Sequence, residues 1–228
     1  IAGPAFGQPW PAKNIVIISE NNVGSIGDTA LRLSLSKLAQ GLGQQVVIEN
    51  RPGAQGAVAA GVVKRASADG YTLFYCSSNG LINARFLVKN LPFDTFKDFV
   101  PITAVASTPS FIVISTTVPA NNLREFVDYA RHNPGKLQFG STGMGSTFHL
   151  YGEAFKAAAG IDMTHIPYNA GNVSIPVNDL LAGRLPVYFM SYSVLRAQLG
   201  TGKLRVLATV GANRYKRLPR SEEHTSEL

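Results

Sequence analysis

Phe139-Gly140-Ser141-Thr142-Gly143-Met144-Gly145-Ser146-Thr147-Phe148-His149-Leu150 brings a strand end, a Gly/Ser/Thr turn and a helix start into one short stretch. Glycines at 140, 143 and 145 let the backbone approach a ligand closely. The first amides of the helix that follows have no carbonyl partners within it, so the stretch reads as an anion seat. Ser141, Thr142, Gly145, Ser146 and Thr147 supply its hydroxyls and amides, although as plain helix caps the same residues need no ligand. His149, one turn into the helix, either touches the ligand or braces the turn. An exposed helix end favours an anion by only about 0.3–1 kcal/mol, so one loop makes a poor receptor and a second seat is required.

A second strand-loop-helix passage lies near the N-terminus. The apolar run Ile15-Val16-Ile17-Ile18 enters Ser19-Glu20-Asn21-Asn22-Val23-Gly24-Ser25-Ile26-Gly27, and a helix is predicted from about Asp28. Asp28 is the expected N-cap, and Ala30, Leu31, Leu35, Leu38 and Leu42 recur at helical spacing until Gly43 stops the helix. The candidate ligand residues here are Asn22, Val23, Gly24, Ser25 and Asp28. Ser78 and Asn79 join them by position alone, after the strand-like Tyr71-Thr72-Leu73-Phe74-Tyr75-Cys76, because ligands of open α/β sheets sit at strand C-terminal ends. Tyr168 is a candidate for its hydroxyl, with a core aromatic as the other reading, and Asn172 closes the loop that follows it.

Around these passages, strand-like runs near 14–19, 46–49, 71–76, 111–116, 137–140, 185–190 and 204–209 alternate with helical patterns near 28–42, 55–67, 122–132, 146–159, 173–182 and 192–199. The alternation predicts an α/β fold with parallel sheets, and continuous apolarity in Phe111-Ile112-Val113-Ile114 fits a strand covered on both faces. Helix stops are marked by Gly43, Gly160, Gly183 and Gly200. The segments from Pro101 to Pro109 and from Leu207 to Ala212 read as crossovers between two lobes.

The 228 residues, 45% of them apolar, are enough for one large or two smaller α/β cores, and no run is long enough to span a membrane. Cys76, the only cysteine, forms no intrachain disulfide and reads as a small apolar strand residue. Ala5-Phe6-Gly7 has the small-x-small form left of a signal-peptidase cut, so residues 1–7 are read as a clipped export signal. Residues 220–228 match one reading frame of a common sequencing adapter and are read as a non-native tail. Without them Lys and Arg number 20, Asp and Glu 11, and the net charge rises from +7 to +9. That charge is scattered apart from Lys64-Arg65 and the cluster of Arg214, Lys216 and Arg217, with no aromatic interleaving, so it favours steering of small anions over nucleic acid.

Enzyme signatures are missing. Residues 140–147 superficially resemble a phosphate loop, but Ser146 stands where its lysine belongs. There is no Gly-x-Ser-x-Gly elbow, dinucleotide fingerprint or metal-spaced His/Cys cluster, so no catalytic residue, cofactor or metal is assigned.

From Trp10 to Pro219 the chain resembles the tripartite tricarboxylate transporter receptors, also called Bug-type extracytoplasmic solute receptors. The matching residues are Val47-Ile48-Glu49-Asn50-Arg51-Pro52-Gly53-Ala54-Gln55-Gly56, Asp69-Gly70-Tyr71-Thr72-Leu73, Lys97-Asp98-Phe99-Val100-Pro101-Ile102, Asn133-Pro134-Gly135-Lys136-Leu137, Gly145-Ser146-Thr147-Phe148-His149-Leu150, His165-Ile166-Pro167-Tyr168 and Gly202-Lys203-Leu204-Arg205-Val206-Leu207-Ala208. The resemblance implies a two-lobed periplasmic-binding-protein fold of type II, each lobe a mixed, mostly parallel sheet flanked by helices. Lobe one would span 8–106 and lobe two 107–209, with 210–219 crossing back to a lobe one that lacks its C-terminal part. It also implies a monomeric receptor, exported to the periplasm of a Gram-negative bacterium, that closes over a small carboxylate and delivers it to the permease subunits of a tripartite transporter. The carboxylate would be gripped by the two loops described above. A periplasmic sensor with a signalling partner is the alternative reading. Arg51 in Asn50-Arg51-Pro52-Gly53 is read as a turn residue and not as a carboxylate clamp, because the resemblance places the carboxylate elsewhere. Where the family carries Val-Pro-Phe and paired glycines, this chain has Ser19-Glu20-Asn21 and Gly24-Ser25. Glu20 near an anion seat would repel a second carboxylate, favouring a neutral, amide-bearing or cationic ligand end.

Overall fold

The computed structural model describes residues 10–168, 172–211, 215, 216 and 218, with Asn79 described by its backbone alone. The expected signal remnant at 1–7 and the expected tail at 220–228 lie outside the described residues. The chain divides into two compact units, residues 1–106 and 107–228.

In the first unit, β1 (Ile15–Ser19), β2 (Val46–Asn50) and β3 (Thr72–Tyr75) form a parallel sheet in the order β2-β1-β3. β-branched residues hold β1 and β2 extended. Ile15, Ile17 and Ile18 of the central strand are buried, as the continuous apolar run predicts. α1 (Ile26–Leu42) leaves the end of β1 and stops at Gly43, whose φ of +64° closes the helix in the left-handed region. α2 (Ala57–Arg65) packs against β1 and β3 through buried Ala57, Ala59, Ala60 and Gly61, small side chains that allow close approach. A π-helical turn, Asn79–Asn83, and a short α3 (Ala84–Leu87) follow β3. Neither is foreshadowed by the sequence.

In the second unit, β4 (Ser110–Ser115), β5 (Leu137–Ser141), β6 (Met163–Pro167), β7 (Val187–Ser191) and β8 (Leu204–Val210) form a mixed sheet in the order β6-β5-β7-β4-β8. Strand β5 runs parallel to β6 and β7, whereas β4 runs antiparallel to β7 and β8. The parallel expectation therefore fails at β4. Alternation of side chains across β4 sends Ile112 and Ile114 to one core with Phe126, Phe139, Phe155 and Phe189, and Phe111 and Val113 to another with Leu180, Leu185, Tyr188 and Met190. Helices α4 (Leu123–His132), α5 (Thr147–Ala159), α6 (Ser174–Leu181) and α7 (Tyr192–Leu195) complete the unit. Three details depart from the sequence reading. Leu207–Val210 stays in β8 and is not a crossover, β6 was not anticipated, and a 3-10 turn, Arg196–Thr201, ends at Gly202 (φ +66°) instead of Gly200. Residues 101–108 are exposed and carry no regular structure.

Candidate functional site

The loop of the second unit is built from the end of β5 upward. Ser146 is the N-cap of α5, its hydroxyl accepting the His149 amide at 3.3 Å, which satisfies a helix-start donor as its residue type predicts. Gly143 (φ +132°) and Gly145 (φ +75°) supply the left-handed turns that other residues resist. The loop is largely self-satisfied. The Gly143 amide donates to Ser141 Oγ (3.1 Å), the Gly145 amide to His149 Nδ1 (3.1 Å) and the Ser146 amide to the Gly143 carbonyl (3.1 Å). Fewer amides face outward than the helix-start reading assumes. The hydroxyl of Ser146, a largely buried residue, accepts that one bond and can still donate its proton.

Three candidates of this unit turn inward. Ser141 is fully buried, with Oγ also 3.0 Å from the Gly143 carbonyl and 2.7 Å from His165 Nε2, so its hydroxyl braces the turn. His149 also braces the turn. Beyond its bond from Gly145, its ring lies parallel to Phe139 at 6.4 Å and 4.0 Å from the ring of His165, and Nε2 is 3.9 Å from Glu153 Oε1. Tyr168 donates its hydroxyl to Asp179 Oδ2 at 2.9 Å, and Arg184 donates twice to the other oxygen, Oδ1. Burial and that carboxylate push the Tyr168 hydroxyl up to about 12. Thr142 and Thr147 flank the turn, Thr147 opening α5, and Asn172 is exposed with Oδ1 accepting the Ser174 amide at 3.1 Å, so it caps the approach to α6. Residues 169–171 lie outside the described residues.

His165, absent from the candidate ligand residues, supports the loop from below. Burial, and then the neighbouring His149, push its pKa down to about 4, and its Nδ1 is buried with no hydrogen-bond partner. The neutral ring underlies the loop. Its signal in sequence is absent, because it comes from β6, a strand visible only once β5 is beside it.

In the first unit the loop after β1 is closed by Asp28. Ser25, not Asp28, is the N-cap of α1, accepting the Asp28 amide at 3.3 Å, while Asp28 Oδ2 receives the amide of Gly24, one residue before the cap, at 2.9 Å. Arg32 donates to both oxygens of Asp28, at 2.8 and 3.2 Å, and Asn50 Nδ2 donates to Oδ1 at 2.9 Å. Asp28 is buried, and the Arg32 guanidinium holds its carboxyl well below the usual carboxylate range. This side chain is a structural tie. Its charge already complements the start of α1, which weakens the case for an anion there. Asn22 and Val23 are exposed on the loop, Asn22 accepting the Ser25 amide through its carbonyl, and Asn21 lies over Gly27. The Asp28–Arg32 pair at i,i+4 spacing was readable from sequence; the contribution of Asn50 from β2 was not.

The remaining first-unit candidates surround Glu20. Its Oε1 accepts the Ser77 amide at 2.7 Å and the Ser77 hydroxyl at 2.5 Å. Ser78 is exposed beside it, and the side chain of Asn79 lies outside the described residues. Arg51 pairs with Glu49 at 3.0 Å on the surface. Among the described residues no three His, Cys, Asp or Glu side chains gather as a metal site, and no helix is long and apolar enough to cross a membrane.

The model of the tripartite tricarboxylate transporter family receptor matches residues 31–227, beginning just after the first-unit loop. A UPF0065 protein of Bordetella pertussis (strain Tohama I) is 33% identical over 220 residues, covering 96% of this chain and 67% of the relative. The chain spans 62% of the length of a UPF0065 protein of Pseudomonas sp. (strain P51), to which it is 31% identical over 210 residues, 92% of this chain. Among solved structures, one described as a periplasmic transporter shares 34% identity at a TM-score of 0.74, covering 93% of this chain and 70% of that one. R. palustris Rpa4515, solved with adipate, shares 29% identity at a TM-score of 0.76, covering 92% and 70%.

Proposed function

The chain belongs to the tripartite tricarboxylate transporter receptor family, and from that membership we propose that it is a periplasmic solute receptor, not an enzyme, that captures a small carboxylate and delivers it to membrane permease subunits. The family match over most of the chain carries this reading. The adipate held by the R. palustris relative supports a carboxylate as ligand, in the range of di- and tricarboxylates, acidic amino acids and aromatic acids. Of the two loops, the one preceding α5 is the better carboxylate seat. It offers the Ser146 hydroxyl and the first turn of a 13-residue helix without an acidic residue in that turn, whereas α1 carries Asp28 in its first turn.

Micromolar affinity needs about 8 kcal/mol, far above the ~1 kcal/mol of a helix end, so burial of the ligand and side-chain hydrogen bonds supply most of it. A thermal-melt panel of carboxylic acids and amides, with sulfate and phosphate as controls, tests the reading. A ligand at about a hundredfold its Kd adds roughly 2.7 kcal/mol and, at about 2–4 °C per kcal/mol for a chain of this size, raises the Tm by about 5–11 °C. One carboxylate class is expected to shift the chain selectively, and the Ser146→Ala/Thr147→Val double variant is expected to lose that shift. Equal shifts with every anion would sink the receptor reading, and an intact shift in the double variant would move the seat elsewhere.

A further inference from the structure

Glu20 follows β1 directly, but its side chain reaches across the sheet ends to the segment after β3. Its amide donates to the Tyr75 carbonyl at 3.3 Å, and its Oε1 holds both the amide and the hydroxyl of Ser77. The other oxygen, Oε2, is buried against Gly56 and Gly80 and makes no hydrogen bond of normal geometry. A methyl group at either glycine would overlap Oε2, so the niche exists only because both positions lack a side chain. Gly56 sits at the start of α2 with φ +85°, and Gly80 is buried in the π-helical turn. Two donors from one residue, a glycine-lined floor, an adjoining helix start and a position at the C-terminal ends of parallel strands are the features of a carboxylate-binding site in an open α/β sheet.

We propose that the niche of Gly56, Ser77 and Gly80 is a carboxylate site already filled by the chain's own Glu20, and that this makes Glu20 a specificity determinant selecting ligands with one carboxylate over those with two. The selectivity rests on the receptor reading above; the filled niche does not. A ligand carboxylate brought to the C-terminal ends of β1 and β3 meets Ser77 donors that are already committed and a like charge beside them. Burial raises the pKa of the Glu20 carboxyl, against the Ser77 hydrogen bonds that lower it, and a further anion would raise it again.

Two measurements on the 228-residue chain separate the parts. The first compares melts of Glu20→Ala in sodium formate, sodium acetate and sodium chloride. The variant is expected to melt below the unaltered chain and to recover by several degrees in about 100 mM formate, while the unaltered chain responds to formate no more than to chloride. No recovery beyond chloride overturns the niche. The second uses Glu20→Gln, which keeps the shape of the side chain, and compares hexanoate with adipate by titration calorimetry. The unaltered chain is expected to prefer the monoacid by about tenfold or more, and Glu20→Gln to narrow that ratio to within about threefold. An unaltered chain that takes the diacid as tightly, or a Glu20→Gln ratio equal to that of the unaltered chain, overturns the selectivity. If the chain binds neither these two acids nor any other carboxylate, the receptor reading falls and the selectivity with it, while the formate melts still decide the niche.

Discussion

Under the Gly/Ser/Thr loop of the second unit, His165 is bonded only through Nε2, to Ser141, with Nδ1 buried and unpartnered and the His149 ring 4.0 Å away. Burial first, then His149 and Lys156, push its pKa down to about 4, with Glu153 opposing. The unfolded chain takes up this proton near pH 6.5, and the folded chain takes it up only near pH 4. The folded state therefore keeps its full advantage above about pH 6.5 and loses it as the pH falls toward about 4. Melting temperatures measured across that window are expected to fall more steeply for the unaltered chain than for His165→Gln, whose amide can still bond Ser141 but does not titrate. Parallel curves would show that the ring is not held neutral by its surroundings. At this scale the sequence was a partial guide. Ser146 announces itself as a cap by type and position, whereas the inward turn of Ser141 and Tyr168 depends on His165 and Asp179, partners 24 and 11 residues away that no local pattern connects.

Helix α5 shows how an element is fixed by its neighbour. Gly152 lies buried in its middle, where alanine would ordinarily favour a helix by about 1 kcal/mol. A methyl group there would overlap the ring of Phe139 in β5, which is itself fully buried and stacked beside His149 and His165. Overpacking of this kind costs about 1–3 kcal/mol, so the crowding outweighs the propensity. Gly152→Ala is accordingly expected to lower the urea midpoint and to weaken any carboxylate-induced shift, because Phe139 supports the two histidines beneath the loop. A midpoint raised by the substitution would mean that the helix slides to make room. Element existence was legible wherever apolar period and a stop residue coincided, as in α1 with Gly43 and α5 with Gly160. β6 escaped because Met163-Thr164-His165-Ile166-Pro167 has no continuous apolar run and acquires its strand character from pairing with β5. The antiparallel direction of β4 escaped for a related reason. A strand buried on both faces reads the same from sequence in either direction.

Across the whole molecule, the two units are stabilised to different depths. The first unit's buried apolar side chains are mostly Ile and Ala, with Phe93 its only buried aromatic among the described residues. The second unit buries Phe111, Phe126, Phe139, Phe155, Tyr188 and Phe189 around a five-stranded sheet. Each aromatic contributes a large apolar area, at about 25 cal/mol per Å² removed from water, so the second unit holds the greater share of hydrophobic stabilisation. α1 repeats the imbalance, since of its apolar residues only Leu31 is buried while Leu33 and Leu38 are exposed. Opening free energies follow such differences in buried packing. In hydrogen exchange followed by mass spectrometry at neutral pH, amides of β4, β5 and β7 are expected to persist longest, and those of β1, β2 and β3 to exchange earlier as one group. A carboxylate seated at the loop before α5 should then slow exchange around residues 140–149 more than around residues 20–28, because Ser146 can still donate its proton while Asp28 and Glu20 already occupy the other unit's donors. If β1 persists as long as β7, the units open as one cooperative body and the difference in core size does not set the order. If residues 20–28 gain the greater protection, the seat assignment is reversed.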